Sequence, residues 1–393
     1  MAAIGQNTQA ATDRVVRDLA RPLEFAFVGV APADPSPHGD YIRQWVADGR
    51  HGEMDYLARN VAARMDPRQL VDGARTVVCV ADRYFGDAKP DADTAHDPQG
   101  SSRDDTTTCT ERARSGRIAR YAWSDDYHRI IKKRLHQLAD VLRQRWPDHV
   151  YKAAVDTAPI LEREHAARAG LGWIGKHTLL IHPDAGSWLL LGQIITTLPV
   201  ARIDGPDQIA DHCGTCTRCI DACPTGCIEP YRLDAKRCIS YLTIEHRGAI
   251  DSELHDSMGD WVAGCDICQE VCPFNREREK GVDKPPRAGA GACHPAYAPR
   301  PPAPRIDLLD VLDWSEQDRR TAFHRSALKR IKLDQLKRNA LIAAGNAAGG
   351  ENQEMLQRRI RAISTDPEAS ELVRGTARQV MARPFGDRGS ASS

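Results

Sequence analysis

At 393 residues the chain is too long for one ordinary domain and has room for two or three. Hydrophobic residues make up 41%, enough for true cores, yet no run of about 18 apolar residues exists, which excludes a membrane-spanning helix. Lys+Arg and Asp+Glu each total 54, and this zero balance excludes a uniformly basic nucleic-acid coat while leaving room for a local patch.

The first twenty residues, MAAIGQNTQAATDRVVRDLA, lack the apolar core of a signal peptide, so a cytoplasmic protein is expected. Twelve cysteines in a reducing compartment then point to metal ligands or reactive thiols, not disulfides. From Thr12 to about Leu198 strand and helix patterns alternate. Phe25–Ala31 and the β-branched run Thr76–Ala81 read as strands; Tyr41–Ala47 and Met54–Arg64 read as helical. Gly86–Ser115 is rich in Asp, Thr and Ser without apolar periodicity and reads as a disordered insertion. Regular structure is expected again at Ile118–Trp123, followed by a helix over about Asp126–Arg145 and a strand at Ala153–Val155. A helix over Ile160–Ala169, capped by Gly170, and a buried strand at Leu189–Thr196 complete this half. A Pro/Ala/Gly-rich linker spans roughly Pro285–Pro304. Beyond it the pattern is helical, with apolar stripes at Leu328–Ala344 and Met355–Ile363 that suggest a small helical repeat cap.

Between these halves lies a cysteine block. Cys213-Gly-Thr-Cys216-Thr-Arg-Cys219-Ile-Asp-Ala-Cys223-Pro224 is the C-x₂-C-x₂-C-x₃-C-P run of bacterial ferredoxins, in which three thiolates hold one cubane and the fourth reaches another. A stretched second set follows: Cys238, Cys265, Cys268 and Cys272, the last again before proline. By ferredoxin logic Cys213, Cys216, Cys219 and Cys272 hold one 4Fe–4S cluster, and Cys223, Cys238, Cys265 and Cys268 hold the other. A zinc ribbon on Cys213, Cys216, Cys265 and Cys268 is the alternative, but it leaves four cysteines unexplained. Cys79, Cys109, Cys227 and Cys293 follow no spacing and fall outside the ligand set; Cys227 sits where the ferredoxin turn continues.

Such a relay moves electrons without substrate chemistry of its own, so the N-terminal half must supply a second cofactor or a pocket. No G-x-G-x-x-G, P-loop or H-E-x-x-H is present. Asp126-Tyr-His128 approaches the Asp-x-His-x-x-Gly motif of Rossmann-type cobalamin carriers, but Ile131 stands where Gly is needed.

Three further segments stand out: Ala119-Arg-Tyr-Ala-Trp-Ser-Asp-Asp-Tyr-His128, Val155-Asp-Thr-Ala-Pro-Ile-Leu-Glu-Arg163 and Gly170-Leu-Gly-Trp-Ile-Gly-Lys-His-Thr-Leu-Leu180. With the cysteine block, Pro230–Gly248 and Gly264–Pro273, they closely resemble the epoxyqueuosine reductases over roughly Arg14 to Arg383. The resemblance implies an α+β protein of three domains. An N-terminal α/β cobalamin-binding domain is expected over 12–204, a ferredoxin-like domain with two 4Fe–4S clusters over 205–284, and a HEAT-like helical domain over 305–385. It implies base-off cobalamin, reduced by the clusters, removing the epoxide oxygen of epoxyqueuosine at the tRNA wobble position to give queuosine. A monomer is expected, working with tRNA and an external donor of the flavodoxin or ferredoxin type. A reductive dehalogenase and a two-cluster electron-carrier subunit are the competing readings.

The resemblance also implies roles. Asp156 matches the family's proton donor, and the apolar setting of Ala153–Ile160 suits a carboxyl kept protonated. An alternative for Asp156 is capping a helix that starts near Pro159. Arg64, in Arg64-Met-Asp-Pro67, aligns with a cobalamin-contacting arginine. Lys176 and His177 are expected at the corrin periphery, where nearby glycines let backbone approach the ring. Ser240 and Arg247 are expected to touch cofactor or tRNA. Finally, Arg319–Arg338 holds eight basic residues against the single acid Asp334, a basic helical face suited to phosphates.

Overall fold

The computed structural model describes residues 11–85, 114–203, 208–275, 292–347 and 351–383. The expected insertion, apart from its last two residues, and the first part of the expected linker lie outside them.

The run Thr-Val-Val-Cys-Val-Ala has no polar face to offer water, and it becomes the interior of a sheet. The strand Thr76–Arg83 is buried at all eight positions. It lies between Phe27–Pro32 and Leu189–Thr196, with Tyr151–Ala154 beyond the latter, and all three pairings are antiparallel. Ile131, Leu135, Leu138 and Leu142, at 3.6-residue spacing, turn the helix Tyr127–Arg145 onto one face, each fully buried. Burial of each contributes about 1.5–3 kcal/mol. Gly192 permits this approach: a Cβ there would stand 2.5 Å from Ile131 Cγ2. The helix Glu162–Arg168 covers the opposite face. Asn60 interrupts the expected helix over Met54–Arg64, which is two short helices, Asp55–Arg59 and Val61–Met65.

A second sheet ties the chain together. Ser115–Ile118 pairs in parallel with Trp261–Ala263 and antiparallel with Arg305–Asp307. Ser115, expected in the insertion, is therefore strand, and its partner is Asp307. The expected linker is also corrected at its end: Tyr297 is 4% exposed and its hydroxyl donates to Asp82 Oδ2 at 2.6 Å. Tyr297 thus belongs to the core of the first sheet.

Among the described residues five helices follow: Leu308–Asp313, Glu316–Ala322, Leu333–Gly345, Glu351–Thr365 and Glu371–Met381. They do not form a separate cap, because one hydrophobic core runs from Ile239 and Val262 of the cysteine region to Leu341, Ile360 and Val380. The helix Leu333–Gly345 carries a polar row into this core. Arg338 and Asn339 are fully buried and bond carbonyls of Leu242, Thr243, His246, Gly248 and Val262. No helix among the described residues is long and apolar enough to cross a membrane.

Candidate active site and iron–sulfur module

The helix Tyr127–Arg145 turns back into the strand Tyr151–Ala154, so residues just past the strand meet the first turn of the helix. There Asp156 accepts a hydrogen bond from the Tyr127 hydroxyl and lies 2.7 Å from His128 Nε2. The other ring nitrogen of His128 is 2.5 Å from Asp126 Oδ1, and Asp126 Oδ2 accepts from Lys329 Nζ at 2.7 Å. Asp126 also caps the helix through the His128 backbone N–H. The helix N-terminus favours this concentration of carboxylates.

The electrostatics follow from these contacts. Burial disfavours the His128 imidazolium, but hydrogen bonds to Asp126 and Asp156 outweigh it and hold the ring protonated to about 9. Burial pushes Asp156 up, yet the His128 bond and charge bring it below the usual carboxylate range. The expectation that an apolar setting keeps Asp156 protonated is thus corrected: the ionised carboxyl sits beside an imidazolium. Nor does Asp156 cap the next helix, whose first residue is Glu162 and whose N-cap is Leu161. Glu162 takes the protonated role instead: burial, then the charge of Asp156, pushes it up to about 8.

Around these groups lie polar atoms without hydrogen-bond partners among the described residues: Glu162 Oε1, Arg64 Nε and His177 Nε2. Burial, then the neighbouring Arg163, lowers His177 to about 4, so its ring is neutral. Arg64 lies near Tyr56 and Glu162. Arg330 donates to Glu245 at 2.8 Å and lies near Tyr56 and Asp156. Asp156 itself keeps 43% of its side chain accessible.

The other expected site residues have the following partners. Lys176 Nζ donates to the carbonyls of Gly214 at 2.6 Å and Cys216 at 3.0 Å, so it braces the first cysteine loop. The glycines beside it serve the hairpin Trp173–Ile174/Leu180–Ile181: a Cβ on Gly172 would meet the Ile181 carbonyl at 2.2 Å. Ser240 and Tyr241 direct backbone N–H groups at the Cys238 sulfur. Arg247 is exposed and uses its backbone N–H on Glu53 Oε2 at 2.9 Å.

The basic run is also not one helical face. Arg319 and Arg338 are interior, Arg320 pairs with Glu316, Arg325 with Asp125, and Lys329 and Arg330 with Asp126 and Glu245. The run is split between Glu316–Ala322, a 3₁₀ turn at Ala327–Arg330 and the start of Leu333–Gly345.

The thiols gather in two groups. Cys272 neighbours Cys213 and Cys219, and Cys219 neighbours Cys216. Cys265 neighbours Cys268 and Cys238, and Cys268 also feels Cys223 and, across the groups, Cys219. Cys227 lies within the second group, its sulfur 3.3 Å from that of Cys223.

Comparison with known proteins bears on the same two regions. Residues 212–275 match the model of a 4Fe–4S double cluster binding domain, which decides against zinc, and 64–157 match that of epoxyqueuosine reductase QueG. The epoxyqueuosine reductase of Pseudomonas aeruginosa is 37% identical over 333 residues, 84% of each chain. The chain belongs to the epoxyqueuosine reductase family. As an epoxyqueuosine reductase it is an oxidoreductase with an iron–sulfur module. A crystal structure of an epoxyqueuosine reductase with an epoxyqueuosine-modified tRNA-Tyr stem loop superposes with TM-score 0.74 at 26% identity, over 93% of this chain and 88% of that one. A Bacillus subtilis epoxyqueuosine reductase whose catalytic aspartate loop is swung out of the active site superposes with TM-score 0.73 at 25% identity, over 93% and 88%.

Tyr127, His128 and Glu162 are the site residues to which the sequence assigned no role, while Arg330 was expected only as part of a phosphate-binding face. The Asp126-Tyr-His128 near-motif was a signal for the first two; Arg330 carried none beyond its charge.

Proposed function

We propose that this reductase converts epoxyqueuosine at the wobble position of tRNA into queuosine, using base-off cobalamin and two 4Fe–4S clusters. One observation carries the reading: Asp156 is backed at 2.7 Å by a protonated His128, beside a buried Glu162 whose Oε1 has no hydrogen-bond partner among the described residues. Turning an epoxide into an alkene breaks two C–O bonds and releases water, consuming two electrons and two protons. At neutral pH the chain holds two protons there, on His128 and Glu162. His128 passes its proton to the departing oxygen through Asp156, and Glu162 supplies the other. Tyr127 keeps the Asp156 carboxyl oriented.

The orphaned Arg64 Nε and His177 Nε2 fit a large polar-edged ligand, and these residues would hold cobalamin, with Ser240 at the cluster side. When bound, cobalamin supplies a reduced cobalt nucleophile for epoxide opening. Cys213, Cys216, Cys219 and Cys272 hold one cluster; Cys223, Cys238, Cys265 and Cys268 hold the other, and the Cys219–Cys268 approach joins them. The working division is 12–204 for cobalamin, 205–284 for the clusters and 305–385 for HEAT-like helices that face tRNA. A cytoplasmic monomer served by a flavodoxin or ferredoxin fits this reading. The test is the tRNA of a strain lacking the gene. Mass spectrometry of its nucleosides shows epoxyqueuosine accumulating; normal queuosine overturns the proposal.

The tRNA surface is narrower than the charge count suggested. Lys329 and Arg330 stand beside the Asp126–His128–Asp156 group, 62% and 52% accessible despite their ion pairs. Replacing both by Ala weakens stem-loop binding and lowers the slope of log K against log salt by roughly one for each phosphate that is no longer neutralised. An unchanged slope removes them from the RNA surface.

A further inference from the structure

Two cubanes need eight thiolates, and the second group of cysteines contains one sulfur more. Cys227 is 5% exposed, its sulfur is 3.3 Å from Cys223 Sγ, and it lies within hydrogen-bond reach of Cys238 Sγ. Both neighbours are ligands of the second cluster in the reading above, on which this inference rests. We propose that Cys227 is a resident S–H donor to the thiolate ligands of the second cluster, setting its reduction potential without binding iron.

The backbone holds Cys227 in this place. Gly226, at φ +59°, makes the turn that precedes it, and the hairpin Ile228–Glu229/Arg232–Leu233 follows directly. The Cys227 carbonyl accepts from Asp234 N at 3.0 Å, and the Thr225 carbonyl from Arg237 Nε at 3.0 Å. The turn is thus pinned on both sides, and Cys227 is fixed against ligand sulfurs instead of sweeping toward an iron of its own. A neutral thiol carries one proton and serves one acceptor at a time. Cys223 is the favoured acceptor, since Thr225 Oγ1 also approaches its sulfur at 3.6 Å. Hydrogen bonds to cluster sulfurs delocalise the charge gained on reduction and raise the potential. Cys227 therefore makes the second cluster easier to reduce than its four ligands alone would.

The experiment uses the full chain, reconstituted anaerobically, with iron and sulfide counted and each cluster titrated by EPR against potential. Cys227→Ala retains the full iron complement and shifts the midpoint of one cluster to more negative potential, leaving the other in place. Cys227→Ser, which keeps an O–H donor, returns that midpoint toward the wild-type value. Cys223→Ala loses the iron of one cluster. Unmoved midpoints at full iron in Cys227→Ala overturn the donor role alone. Iron loss in Cys227→Ala with iron retained in Cys223→Ala instead overturns the ligand set beneath it.

Discussion

Asp156→Asn lowers the rate of epoxide reduction by about two to four orders of magnitude, the range of a lost general acid, while iron content and fold stay intact. The amide keeps the shape of the carboxyl and its bond to Tyr127, so the loss isolates proton delivery. His128→Gln gives a smaller drop and a diagnostic change in pH dependence. His128 is held protonated to about 9 and Glu162 to about 8, and both must deliver a proton. The wild-type rate therefore falls as pH rises through about 8 to 9, in two steps that belong to the coupled group as a whole. Stability carries the same sign. The folded pKa of His128 lies above its unfolded value, so its contribution is full below about 6.5 and disappears as pH rises through about 9. In His128→Gln the alkaline limb retains only the step due to Glu162. A wild-type profile flat to pH 10, or a His128→Gln profile identical to wild type, refutes the relay.

The features legible in the sequence were those set by local chain geometry. Two-residue gaps between Cys213, Cys216 and Cys219 can only wrap a short loop, whatever surrounds it. The all-apolar run at Thr76–Ala81 has only one place to go, the middle of a sheet. What escaped depends on partners distant in sequence. Asp156 reads as a carboxyl in an apolar stretch, because Tyr127 and His128 reach it only when the helix folds back on the strand. Charge counting failed on Arg319–Arg338 for a related reason: composition records the cations but not Glu316, Asp125, Asp126 and Glu245, which pair with five of them. The same run hides Arg338, a cation with no solvent exposure at all. Cys227 was passed over because ferredoxin spacing counts ligands and is silent about a sulfur that only leans on them.

Arg338 carries the largest stability effect. Its guanidinium donates to the carbonyls of Leu242 at 2.6 Å, His246 at 2.8 Å and Gly248 at 2.6 Å, and to Asn339 Oδ1 at 2.9 Å. Those carbonyls end the short helix Ile239–Ile244 and begin the loop after it; Cys238 is the N-cap of that helix. Arg338→Met fills nearly the same volume but removes the donors to the Leu242 and Gly248 carbonyls and to Asn339 Oδ1, and leaves the His246 carbonyl with Gln335 Nε2 alone, at about 1–3 kcal/mol for each acceptor left unsatisfied. That sum is comparable to the 5–15 kcal/mol, roughly, that holds a domain folded. The first structure to loosen is the one the arginine was holding, the Cys238 helix, so the variant loses the iron of one cluster before the sheet at Thr76–Arg83 melts. Thermal unfolding monitored at the cluster absorbance and in the far ultraviolet separates the two events, with the cluster signal falling first. Coincident transitions at the wild-type temperature would show that the helix Leu333–Gly345 merely covers the iron–sulfur module instead of holding it in place.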